Sequence, residues 1–174
     1  MRKFGGVVLV FCMIVSLSLP VGAQSADVST AMLPTYTSGM PVVNVPCRHV
    51  IDLRDDATLR AMAASSYSFE FAIPAIAPEL VFPSDIEFQV YEGQDLVVTT
   101  HVFHWSPISN DVEFGLWNLD NNHLYCLQTF TESNDSAVNQ FTLSNAVGGR
   151  YLLYVINRGP GSLDSGFIRY SLGG

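Results

Sequence analysis

Basic residues are scarce in this sequence. Its 174 residues include 8 Lys and Arg against 16 Asp and Glu, and the formal net charge is −8. Because affinity for phosphate groups depends on clustered Lys and Arg, nucleic acids and anionic membranes are not expected as partners. Divalent cations or basic surfaces fit this charge better, although an acidic surface more often serves solubility alone.

Long apolar runs are lacking beyond the N-terminus. The run Val7–Leu19 follows the basic pair Arg2 and Lys3 and precedes a small-residue triplet that ends at Ala23. This order predicts a secretory signal peptide over residues 1–23, cleaved after Ala23. A membrane-spanning helix needs ~20 apolar residues, so no transmembrane segment is expected and the mature chain is predicted to be secreted. Loss of the two basic residues would change the formal charge from −8 to −10.

Cysteine is rare, with 3 in the chain. Cys12 would leave with the signal peptide, whereas Cys47 and Cys126 would reach an oxidising compartment, where thiols tend to pair. We therefore expect a disulfide between Cys47 and Cys126. It would close a loop of roughly 80 residues and contribute ~4 kcal/mol in the chain-entropy model. Two buried thiols are the alternative, and a metal site is disfavoured because neither cysteine has ligand residues nearby in sequence.

Catalytic motifs are absent as well. The sequence contains no G-x-S-x-G, no H-E-x-x-H and no cysteine beside a histidine, which are the arrangements that activate a nucleophile or a metal-bound water. Carboxylate pairs for glycoside hydrolysis come from distant strands, and no such pair stands out. The protein is therefore predicted not to be an enzyme, and a small secreted hydrolase is the least favoured alternative.

Composition changes near residue 66. The segment 24–66 is rich in Pro, Ser and Thr, and its one predicted helix is DDATLRAMAAS. It has too few large apolar residues to form a core of its own. We expect an extended N-terminal arm that packs on the main domain and is held there through Cys47.

Strand-like segments fill residues 67–174. They are rich in β-branched and aromatic residues and are separated by Gly, Pro, Asn and Asp, which favour turns. Their sequences are YSFEFAI, IEFQV, LVVTTHVFHW, VEFGLWN, HLYCLQT, AVNQFTL, RYLLYVIN and FIRYSL. Without convincing helices between them, they predict an all-β fold, a single antiparallel β-sandwich or jelly-roll domain. RYLLYVIN is apolar on both faces, which indicates a central strand whose outer face is covered by the arm or by a partner.

The order of these turns and strands suggests a family. The matching pieces are SDIEFQVYEGQDLVV, NDVEFGLWNLDNN and GGRYLLYVINRGPGSLDSGFIRYSL. Over residues 84–172 the chain resembles the bacterial pre-peptidase C-terminal domain, a small β-sandwich appended to secreted proteases and other exported enzymes, with collagen-binding relatives. Residues 24–66 have no counterpart in that pattern. The resemblance implies a fold and an adhesive or accessory role more than an inherited activity, because fold alone does not fix function.

Two groups of polar residues are candidate metal sites. His101 and His104 are three apart, so on a regular strand their side chains point to opposite faces and do not form a ligand pair. Asp111 and Glu113 are two apart and would share a face, and Asp120 lies in the next turn. Because Ca²⁺ takes six to eight oxygen ligands from flexible segments, these three carboxylates are the predicted calcium ligands. A solvent-facing strand followed by an Asp-Asn-Asn turn is the alternative.

Aromatic residues are the candidate ligand-binding residues. Trp117, Trp105 and Tyr154 could form a platform for sugar rings or for a protein partner. Trp117 is the strongest candidate because its strand phase matches that of Asp111 and Glu113. The alternative is that the aromatics fill the core.

These features lead to one functional hypothesis and, besides the small secreted hydrolase, one further alternative. The first is a secreted, non-catalytic β-sandwich that binds an extracellular polysaccharide, matrix protein or cell-surface component, with no cofactor apart from the predicted calcium. The alternative is an accessory or chaperone-like partner domain of an exported enzyme.

Overall fold

The computed structural model describes residues 25–26, 41–53, 66–73 and 80–173. Within these residues the strands, in chain order, are β1 (Ser25–Ala26), β2 (His49–Asp52), β3 (Tyr67–Ile73), β4 (Val81–Pro83), β5 (Ile86–Val90), β6 (Leu96–Ser106), β7 (Val112–Asn118), β8 (His123–Phe130), β9 (Asn139–Leu143), β10 (Gly149–Asn157) and β11 (Leu163–Gly173). The predicted signal peptide (1–23) and the predicted helix of the arm lie outside the described residues. No described helix is long and apolar enough to cross a membrane.

The strands form two sheets. The first sheet has the order β1-β9-β6-β11-β3, and the second has the order β2-β5-β10-β7-β8, with β4 also paired to β10. Neighbours are antiparallel except for two parallel pairs, β1 with β9 and β2 with β5. The predicted all-β sandwich fold is therefore confirmed.

The main core lies between the sheets and follows from strand alternation. Along β5, for example, Ile86, Phe88 and Val90 are buried while the residues between them are partly exposed. Aromatic rings from both sheets interlock here, with Phe103 5.6 Å from Phe114 and 4.9 Å from Trp105 between ring centroids. Burial of each large apolar side chain contributes roughly 1.5–3 kcal/mol, so this cluster holds the two sheets together.

The strand β10 is central and buried on both faces, as its sequence predicts. It pairs with β7 along one edge and with β4 and β5 along the other. Leu153 and Val155 join the main core, whereas Tyr154 and Ile156 form a second apolar cluster on the outer face of the second sheet. Both outer residues are 0% exposed.

The described part of the N-terminal arm contributes to both sheets, with β1 in the first sheet and residues 41–53 beside the second. Residues 49–52 run parallel to β5 as strand β2, and Val42 pairs with Val81 at the start of β4. Ile51 and Leu53 are buried in the main core. This segment therefore contributes both a strand and core side chains.

The prediction that His101 and His104 point to opposite faces of the sheet is wrong, because β6 has a β-bulge at His101. Arg169 pairs with Val102 and Tyr170 with Thr100, so His101 is an extra residue that resets the alternation. His101 Nε2 lies 3.0 Å from Ser171 Oγ, whereas the His104 ring stacks on Phe167. Ser171 and Phe167 are four residues apart on one strand and share a face, so both histidines lie on the outer face of the first sheet. Phe167 and Ser171 are about 13 Å apart along the strand. The two histidine rings that contact them are therefore well separated.

Candidate functional site

Two of the three predicted aromatic ligand-binding residues are core residues. Trp105 and Tyr154 are 0% exposed, and the Trp105 indole N–H donates to the backbone oxygen of Asn110 at 2.9 Å. Neither ring can contact a ligand from solvent. Trp105 and Tyr154 therefore do not form the predicted binding platform. Trp117 is half-buried on the outer face of the second sheet, and its indole N–H donates to the Asn122 side chain at 3.1 Å.

The three predicted calcium ligands are not brought together. Glu113 and Asn118 are separated by about 17 Å along β7, and Asp120 lies beyond Asn118 in the following turn. Asp120 instead forms a salt bridge with Arg150, with 2.9 Å between Oδ1 and a guanidinium nitrogen. Among the described residues, no group of three His, Cys, Asp or Glu side chains could hold a metal ion. Within the described residues, Asp111, Glu113 and Asp120 therefore do not form the predicted calcium site.

Glu113 belongs to a buried polar cluster on the outer face of the second sheet. Its carboxylate accepts a hydrogen bond from the Tyr154 hydroxyl at 2.7 Å and pairs with the Arg158 guanidinium at 2.5 Å. Burial, reinforced by the charge of Glu113, raises the pKa of Tyr154. This arrangement pairs a buried carboxylate with a cation, and removing one partner would leave an uncompensated buried charge.

Cys47 and Cys126 are not joined by a disulfide. Cys47 is exposed just before β2, and Cys126 is half-buried on β8. These strands are the opposite edges of the second sheet, four spacings or roughly 19 Å apart. A disulfide requires Cα atoms within ~7 Å, so the predicted bond does not fit this sheet order.

A serine, a histidine and an aspartate meet on the outer face of the first sheet. His104 Nδ1 lies 2.5 Å from Asp135 Oδ1 and 3.2 Å from Ser133 Oγ, and Ser133 donates to Asp135 at 2.7 Å. The hydrogen bonds from Ser133 and His104 lower the pKa of Asp135. In a catalytic triad the serine and the acid occupy different ring nitrogens. Here both contact Nδ1 and the serine proton goes to the carboxylate, so the cluster lacks an activated nucleophile.

A concave surface runs along β3. Among the described residues β3 pairs only with β11, and the edge of β3 that has no described strand beside it is called its free edge. Phe69, Phe71 and Ile73 point into the core, while Ser68 and Glu70 are exposed. Two grooves adjoin this free edge and share Glu70 and Phe82. We call them together the β3 cleft.

The two grooves differ in character. The first, which we call the apolar groove, has a volume of about 620 Å³ and is lined by Phe71, Phe82, Gly166 and Phe167 among others. Phe167 is 39% exposed, which is unusual for a large aromatic side chain. An extended chain beside β3 could bury a side chain against these rings.

The second, which we call the charged groove, has a volume of about 360 Å³ and lies between β3 and the arm. Arg48 and Asp85 form a salt bridge across it, with 3.0 Å between Nε and Oδ2. Phe69 and Phe82 supply apolar surface, and Glu70 stands at the junction of the two grooves. The cleft therefore combines a free strand edge with apolar and charged subsites.

Sequence reasoning missed the β3 cleft because its walls come from distant segments. YSFEFAI predicts an amphipathic strand, but the sequence does not say which strand is at an edge. The one usable signal is Glu70, a charge in the middle of an apolar strand, which is typical of edge strands.

No protein-family model matches the chain, and no curated protein is similar to it in sequence. A solved structure of the pre-peptidase C-terminal domain of a collagenase from Bacillus anthracis is similar at 14% identity and a TM-score of 0.36, covering 75% of this chain and 99% of that one. CorA, a surface-associated copper-binding protein of Methylomicrobium album BG8, is similar at 8% identity and a TM-score of 0.34, covering 71% of this chain and 96% of that one. The likeness to the pre-peptidase C-terminal domain is a weak structural resemblance.

Proposed function

We propose that this protein is a secreted, non-catalytic β-sandwich module that binds an extended segment of another protein outside the cell. The segment adds as a strand to the free edge of β3. A matrix or cell-surface protein would supply it. Export rests on the signal-peptide pattern of residues 1–23.

The observation that carries this proposal is that β3 has a neighbouring strand on one edge alone within the part of the chain that the structure describes. An edge strand presents unpaired N–H and C=O groups that an incoming chain can pair with. Alternate side chains of an added strand point to opposite faces, so neighbouring residues of the segment would meet different parts of the cleft. The grooves flank the strand where such side chains would lie.

A protein segment fits the cleft better than a polysaccharide does. Sugar rings are bound by exposed aromatic platforms, and Trp105 and Tyr154 are in the core. Among the described residues, Phe167 is the exposed large aromatic side chain, at 39%. A single exposed ring beside a strand edge is an anchor for a side chain rather than a platform for a sugar chain.

The test is a binding array probed with the mature chain, residues 24–174. It carries polysaccharides, folded matrix proteins and unstructured peptides. Peptide binding is expected, and amide hydrogen exchange in the complex should show new protection in β3. Binding confined to polysaccharides, or protection that spares β3, would overturn the proposal.

A pair of surface variants sharpens the test. Phe167→Ala removes the exposed ring of the apolar groove, and loss of an aromatic anchor at an interface typically costs ~1–2 kcal/mol or more. Peptide affinity should therefore fall at least ~5-fold by the relation of free energy to affinity. Val138→Ala removes a side chain of 57% exposure from the β8–β9 loop and should leave affinity unchanged.

A further inference from the structure

The charged groove has one carboxylate, that of Glu70, which no cation among the described residues neutralises. Arg48 is held by Asp85 through two side-chain contacts, at 3.0 and 3.4 Å, and through a backbone hydrogen bond of 2.6 Å from Arg48 N–H to Asp85 C=O. Glu70 has no ion pair within the described residues. The groove therefore carries a net negative charge located at Glu70.

The walls of the charged groove suit a long basic side chain. Phe69 and Phe82 line it, and Glu70 is exposed at its junction with the apolar groove. Lys and Arg lay their aliphatic stems on apolar surface while the charge reaches a polar partner. A cation beside an aromatic ring gains further attraction. A volume of about 360 Å³ leaves room for such a side chain.

The overall charge favours the same kind of occupant. The formal net charge of −8 steers basic partners toward the molecule. Two copies of this acidic chain would repel one another. A second copy is therefore a poor occupant of the β3 edge.

We infer that the charged groove holds an Arg or Lys side chain of the bound segment, with Glu70 as its counter-ion. This inference rests on the proposed strand addition to β3 and states which side chain of the bound segment the charged groove would select. The module would select extended segments in which a basic residue stands next to apolar ones. Arg is favoured over Lys because its planar guanidinium can donate two parallel hydrogen bonds to the Glu70 carboxylate.

The test uses four nine-residue peptides of alternating Thr and Val with Pro at both ends. They differ only at the central position, which is Arg, Lys, Gln or Glu. Fluorescence anisotropy with the mature chain should rank affinity in that order, with Arg at least tenfold above Glu. Affinity for the Arg peptide should fall as salt rises, while affinity for the Gln peptide should change little.

Variants at Glu70 separate this inference from the proposed function. Glu70→Gln should erase the preference for Arg, and Glu70→Arg should reverse it toward the Glu peptide. Glu132→Gln, at an exposed loop position, should keep the wild-type ranking. Equal binding of all four peptides, unaffected by Glu70→Gln, would overturn the inference and leave strand addition standing. Binding of none, or self-association of the chain in sedimentation, would overturn the proposed function itself.

Discussion

Phe71 and Gly166 face each other directly across β3 and β11, and the Phe71 ring occupies the space that a side chain at 166 would need. The same ring packs near Phe82 and Phe103, at 6.1 and 6.4 Å between centroids. A cross-strand aromatic covering a glycine fixes the position of the ring. The floor of the apolar groove therefore depends on the absence of a side chain at Gly166.

Adding one methyl group tests this relationship. Gly166→Ala would also bring its Cβ to 2.9 Å from the backbone oxygen of His104, which cannot yield easily. We expect a loss of ~1–3 kcal/mol in the free energy of unfolding, as for other overpacked sites, measured by urea denaturation. Gly173→Ala is the control, because its Cβ would meet only Val97 at 3.9 Å. Equal midpoints for the two variants would contradict the packing described above.

The buried Glu113 makes a second prediction. Arg158→Ala removes its cation, and a buried charge left without its partner costs roughly 3–5 kcal/mol. The double variant Arg158→Ala/Glu113→Gln should recover part of that loss, because a neutral amide needs no counter-ion. Thermal unfolding measures all three proteins, with Arg169→Ala on the exposed face of β11 as control. A double variant no more stable than the single one would rule out the role assigned to the pair.

Face and position within a sheet were predictable only where the sequence pattern is unambiguous. Apolar residues on both faces of β10 predict that it is a central strand. Strand alternation predicts that Glu113 and Trp117 share one face, as they do. The bulge at His101 left no trace in the sequence, because it arises from the register of β6 against β11. The strand β2 was missed because four residues inside a polar segment form a strand only when β5 is beside them.

Residue spacing along the chain predicted the sites poorly. The number of cysteines and the oxidising compartment predict a disulfide between Cys47 and Cys126. The order of strands instead places them at opposite edges of one sheet. The predicted calcium ligands are close in sequence, but Asp111 and Glu113 lie at the start of β7 and Asp120 lies beyond its end. The β3 cleft joins Arg48, Glu70 and Phe167, which only the fold brings together.

Thiol labelling distinguishes reduced Cys47 and Cys126 from a disulfide between them. Burial, reinforced by the Glu113 charge, raises the pKa of Cys126 to about 11, so little reactive thiolate exists at pH 8. With a thiol reagent, the mature chain should label one exposed cysteine quickly and a second one slowly. Cys47→Ser should abolish the fast phase and Cys126→Ser the slow one. Reductant should leave the melting temperature unchanged, whereas a chain that labels only after reduction would restore the disulfide.

Asp120 predicts how stability depends on pH. The backbone N–H of Arg150 and then its guanidinium donate to the Asp120 carboxylate and lower its pKa from the ordinary value of 3.8. A carboxyl group with a lowered native pKa stabilises the fold fully above its unfolded pKa, near ~3.9, and loses that contribution as pH falls through the native value. The stability difference between wild type and Asp120→Asn should thus be largest near neutral pH and shrink below about pH 4. Denaturant unfolding from pH 2 to 7 measures it, with Asp164→Asn at an exposed position as control. A difference that stays constant over this range would remove the Arg150 pairing as its cause.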